Sequence, residues 1–106
     1  MNSAEKTHLE SEIIRALEAC YDPEIPVNIY DLGLVYSIDI GDAADVYIKM
    51  TLTSPHCPVA MSLPAEVQAK VSEVPQVKSV EVDVVWDPPW GPNKMSDSAK
   101  LQLGML

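Results

Sequence analysis

The chain of 106 residues has the length of one ordinary domain, and its 47% apolar and 22% charged residues match a globular fold rather than a disordered chain. A formal charge of −9, with seven Lys and Arg scattered along the sequence, repels phosphate backbones and argues against a nucleic-acid partner. The opening MNSAEKTHLESE has no apolar stretch behind a basic start, and no later run approaches the roughly 18 apolar residues of a membrane span. A single cytoplasmic domain over residues 1–106, ordered from about residue 7 and without a membrane segment, is therefore expected.

In THLESEIIRALEAC, Leu9, Ile13, Ile14 and Leu17 recur at helical spacing, and Thr7 with Glu10 makes a capping-box pattern. This predicts a first helix over Thr7–Cys20, stopped by the Asp22-Pro23 step, because a proline ring disfavours helical geometry in the residue before it. Cys20, three positions after Leu17, falls on the buried stripe as a small hydrophobe. YDPEIPVNIYDLG, Tyr21–Gly33, is too irregular in period for helix or strand and reads as an ordered loop.

LVYSIDI alternates Tyr36, Ile38 and Ile40 against Ser37 and Asp39, and DVYIKMTL alternates Val46, Ile48, Met50 and Leu52 against Tyr47, Lys49 and Thr51. GDAA between them supplies the turn of an antiparallel hairpin. Leu63, Val67, Val71 and Val74 predict a second helix that Pro64 resets to start near Ser62. KSVEVDVVW then alternates Val80, Val82, Val84 and Trp86 against Glu81 and Asp83 as a third strand. DPPWGPN excludes regular structure, and MSDSAKLQLGML offers Ser96 as N-cap, Asp97 at the positive end of the dipole and Gly104 as stop of a short last helix. The order α-β-β-α-β-α fits a two-layer α+β domain in which helices cover a three-stranded sheet. The pattern lets the third strand pair with either member of the hairpin.

Chemistry concentrates in LTSPHCPVA. Cys57 follows the second strand and precedes a helix, where free N–H groups and the dipole favour a thiolate, the form of cysteine that attacks and that ligates metal. The bland alternative is a small apolar residue packed under the first helical turn. His56 is a weaker metal-ligand candidate, since its side chain points away from that of Cys57 in extended backbone. A hydrolase would need a second histidine, and His8 stands on the first helix. A closed zinc site would have to be built largely from carboxylates. Trp86 and Trp90 either cap the core, which suits Trp86 better, or present an apolar docking patch for partners.

Three separated stretches, YDPEIPVNIYDLGLVY, TLTSPHCP and WDPPWGPNKMSDSAKLQLG, resemble in order the SufT-like family of iron-sulfur cluster assembly proteins, which includes the PaaD-like proteins of phenylacetate degradation. The resemblance runs from Thr7 to the last residue. It implies an α+β domain that is not an enzyme but works with the iron-sulfur assembly machinery to insert clusters into client apo-proteins. The family's functional cysteine falls on Cys57, its Asp-Pro-Glu motif on Asp22 and Glu24, and its threonine before the cysteine on Thr53. PaaD-like members commonly carry a further cysteine-rich C-terminal segment, whereas this sequence ends LGML, which favours the SufT-like branch. By their local chemistry alone, Asp22 reads as a helix-end or Asx-turn residue and Thr53 as a loop hydrogen-bonder.

One thiolate per chain is too few for a cluster, which commonly takes four protein ligands. A two-fold homodimer would bring two Cys57 loops together, with Thr53, Asp22, Glu24 or added thiols completing the shell. At most a transient cluster is expected there, and an apo protein after aerobic purification. The alternative is a protein-binding adaptor in a multiprotein assembly, a PaaD-like accessory role in which Cys57 is incidental and Trp86 and Trp90 make the contact.

Overall fold

A computed structural model describes residues 2–21, 25–53 and 62–104. The elements are α1 (Ser3–Glu18), β1 (Val35–Ile40), β2 (Asp45–Met50), α2 (Leu63–Ser72), β3 (Ser79–Val84) and α3 (Asp97–Gln102), the α-β-β-α-β-α order expected from the sequence. None of the described helices is long and apolar enough to cross a membrane.

α1 begins four residues before the expected Thr7. The sequence holds two successive capping boxes, and the first one is used: Asn2 Oδ1 accepts from the Glu5 N–H at 2.8 Å while the Glu5 carboxylate accepts from the Asn2 N–H at 3.5 Å. Once a helix is nucleated each further residue adds a backbone hydrogen bond, so the longer helix is favoured. Thr7 is left to donate its hydroxyl back to the Ser3 carbonyl at 2.9 Å. Leu9, Ile13 and Leu17 form the buried stripe, and Cys20, just past the helix end, is fully buried with them.

The sheet order is β1-β2-β3, with β1 antiparallel and β3 parallel to β2. The central strand behaves as its alternation predicts: Val46, Ile48 and Met50 are buried, and Leu52 continues the row beyond the strand end. Its parallel partner requires a crossover, which α2 supplies by laying Leu63, Val67 and Val71 over the sheet. Pro64 sits in the first turn of α2, where a missing N–H costs nothing.

β1 departs from its expected alternation at Tyr36. Val35 pairs with Met50 and Ser37 with Lys49, so Tyr36 is the extra residue of a bulge. Val35, not Tyr36, therefore lies opposite Met50, and the Tyr36 ring is released toward the chain beyond β3. Trp86 is a second correction: it is 46% exposed rather than core. The alternation of β3 points it to the helix side, but the strand ends at Val84, and at the sheet end the ring borders a pocket instead of α2. α3 is capped as expected, with Ser96 Oγ accepting from the Ala99 N–H at 3.1 Å.

Candidate functional site

β2 and β3 are parallel, so both carboxyl ends point the same way, and the connection from β2 to the N-terminus of α2 leaves from that end. In α/β layers this is where loops gather into binding sites. The three sequence stretches singled out above meet there.

Within the first stretch, residues 28–33 form a compact turn. The Asp31 N–H donates to Asn28 Oδ1 at 2.9 Å, Asn28 Nδ2 donates to Asp31 Oδ2 at 2.9 Å, and Gly33 follows in left-handed backbone at φ +78°. The Thr51 N–H donates to the Leu34 carbonyl at 2.8 Å, tying the second stretch to the first, and the Val85 N–H donates to the Met50 carbonyl at 2.8 Å, joining the chain ends of β2 and β3 just before the second and third stretches begin.

The segment after β3 is then clamped across the turn. The Trp90 indole N–H donates to the Leu32 carbonyl at 2.8 Å, the Ser96 N–H to the Asp31 carbonyl at 2.8 Å, and the Tyr36 hydroxyl to the Pro88 carbonyl at 2.7 Å. Lys94 stacks its ammonium 5.1 Å from the Tyr36 ring centroid. Gly33 is required at this crossing, because a Cβ there would stand 2.1 Å from the Lys94 carbonyl oxygen.

Leu52, Thr53, Trp86, Pro89 and Trp90 line a mostly apolar pocket of about 360 Å³ at the sheet end. Thr53, half-buried in this wall, is the last described residue before the segment that holds Cys57. Cys57 and His56 themselves lie outside the described residues, as do Asp22 and Glu24. Glu66 and Lys70 on α2 act electrostatically on Cys20 at the end of α1, so the end of α1 lies near α2.

Cys20 is the contrasting thiol. Burial, reinforced by the Glu66 carboxylate and partly offset by Lys70, pushes its pKa up to about 11. Among the described residues no group of three His, Cys, Asp or Glu is arranged to hold a metal ion. Sequence reasoning missed the clamp residues Asn28, Asp31, Leu32 and Tyr36; an Asn three residues before an Asp, with Gly two further on, was the available signal for the turn.

A family model for iron-sulfur cluster assembly proteins matches residues 10–84. The chain is 47% identical over 97 residues to an Fe-S protein maturation auxiliary factor of Porphyromonas gingivalis, covering 92% of each chain. It is 45% identical to the Fe-S protein maturation auxiliary factor YitW of Bacillus subtilis, across 92% of this chain and 95% of that one. A crystal structure from Bacillus anthracis, known as a domain of unknown function, DUF59, superposes with a TM-score of 0.89 at 39% identity, covering 99% of this chain and all of that one.

Proposed function

The chain belongs to the iron-sulfur cluster assembly protein family, and on that premise we propose that it is a maturation factor that assists cluster insertion into client apo-proteins through the thiol of Cys57. The observation that carries this most directly is the 47% identity, over nine-tenths of both chains, to a protein named as an Fe-S maturation auxiliary factor. The two cysteines divide the roles. Cys20 is buried and held as a neutral thiol, which leaves Cys57, between a parallel strand end and a helix N-terminus, as the nucleophile or ligand.

The cluster is cargo, held transiently. Two chains related by a two-fold axis would supply two Cys57 thiolates, with Thr53, Asp22, Glu24 or added thiols completing the shell. Such an incompletely thiolate shell releases iron readily, so the protein is apo after aerobic purification. It acts in the cytoplasm as an assembly factor rather than an enzyme, its partners being the iron-sulfur machinery and clients, with Trp86 and Trp90 as the docking residues. The exposure of Trp86 on an apolar pocket also favours a second function, an adaptor that recruits partners without thiol chemistry.

Anaerobic incubation with iron and sulfide separates the two. Absorption spectra and sedimentation should show a labile, dimer-associated cluster on the wild type and none on Cys57→Ser. Equal cluster formation in the variant removes the Cys57 assignment, and no cluster on either protein leaves the adaptor.

A further inference from the structure

The two tryptophans at the sheet end do different things. Trp90 is partly buried and its indole N–H is already committed to the Leu32 carbonyl. Trp86 is 46% exposed, and its indole N–H makes no hydrogen bond among the described residues. Between them Pro89 and Leu52 complete an apolar wall with Thr53 as its polar member.

Indole faces set beside a proline, with the indole N–H of an exposed ring uncommitted among the described residues, suit a polyproline II segment. Proline rings pack on the aromatic faces, and the extended backbone, which has no internal hydrogen bonds, offers its carbonyls to the donor. Such a segment is stiff before it binds, so little conformational entropy is lost on docking. Charge narrows the partner further. Asp87, next to Trp86, is exposed, and the chain carries −9 overall. Lys94, four residues after Trp90, is engaged over the Tyr36 ring.

Resting on the maturation-factor assignment above, we propose that this pocket docks an extended, proline-containing segment of a partner protein flanked by Lys or Arg.

The chain has two tryptophans and hence two indole signals in a nitrogen-proton correlation spectrum, which makes the test specific. The apo protein is titrated with the blocked peptide acetyl-RPLPPLPR-amide, with a version carrying Glu in place of both Arg, and with one carrying Ala in place of every Pro. The Trp86 signal should move further than the Trp90 signal, whose N–H stays bonded to the Leu32 carbonyl, with saturation at peptide concentrations on the order of 0.1–1 mM. Trp86→Ala should weaken binding about tenfold without loss of fold, since an exposed ring contributes to docking rather than to the core. Trp86→Phe, which keeps a ring but lacks the donor, should fall between. The Glu peptide should bind more weakly, with the difference shrinking in 0.5 M salt, about 4 Å of screening length.

No movement of the Trp86 signal at several millimolar peptide, at roughly the limit of meaningful affinity, overturns the proposal. So does equal binding of the all-Ala peptide, which would mark plain apolar contact, or a Trp86 shift that follows protein concentration without peptide, which would mark a second copy in the pocket. Binding is read without iron or sulfide. A failed titration therefore leaves Cys57-dependent cluster formation standing, and a failed reconstitution leaves peptide docking standing.

Discussion

Replacing Gly33 by Ala should loosen the whole end of the sheet. At φ +78° a Cβ costs roughly 1–2 kcal/mol from local sterics alone. The added methyl would also lie 2.1 Å from the Lys94 carbonyl oxygen and 2.7 Å from its carbon, both backbone atoms that no rotamer change removes. Reaching ordinary contact requires the two segments to part by roughly 1 Å, which lengthens the Ser96–Asp31 and Trp90–Leu32 bonds, worth about 1 kcal/mol each. The expected loss is about 3–4 kcal/mol in urea denaturation, enough to lower the thermal midpoint by some 15 °C. Gly104→Ala is the matched control: φ is +73° and nothing lies within 4 Å of the new Cβ, so only the local penalty of about 1 kcal/mol applies. Equal losses in the two variants would refute the clamp across Gly33.

Other outcomes follow from the same contacts. Trp90→Phe keeps the ring but leaves the Leu32 carbonyl without its donor, and should cost about 1–2 kcal/mol in denaturant titration. In native protein at neutral pH, iodoacetamide should modify Cys57 and spare Cys20, whose thiolate fraction is about 100-fold below that of an ordinary thiol; mass spectrometry of the digest reads the ratio, and equal labelling contradicts the assignment. Because the folded state holds the Cys20 thiol neutral up to about 11 against an ordinary value of 9.0, its contribution is complete below pH 9 and is lost as pH rises toward 11. Cys20→Ala should lack that decline, a difference of up to about 2–3 kcal/mol by denaturant titration at each pH.

The elements whose periodicity is set by burial were legible in the sequence. Val46, Ile48, Met50 and Leu52 alternate because one face of β2 meets the helices, and Leu63, Val67 and Val71 recur because α2 crosses that face. What escaped was decided by tertiary contacts. The stretch before β1 has no period, yet Val27, Ile29, Leu32 and Leu34 are all buried, since the turn around Asn28 and Asp31 folds them inward without a regular element. The bulge at Tyr36 exchanges the faces of neighbouring residues, which no alternation count foresees. Trp86 continues an inward alternation past the point where the strand stops. Of the site, the convergence of three distant stretches was legible only as a resemblance; the bonds that join them run between backbone carbonyls and donors far away in sequence, as from Trp90 to Leu32 and from Ser96 to Asp31.

The central claim is that Cys57 is required for delivering clusters to clients. Its most direct test is the activity of a [4Fe–4S] dehydratase in cells lacking this chain and grown under iron limitation, complemented with wild type or Cys57→Ser at equal protein levels. Wild type should restore the dehydratase, while Cys57→Ser, folded and still able to dock peptide, should leave it at the level of the empty vector. Full restoration by Cys57→Ser would contradict the claim.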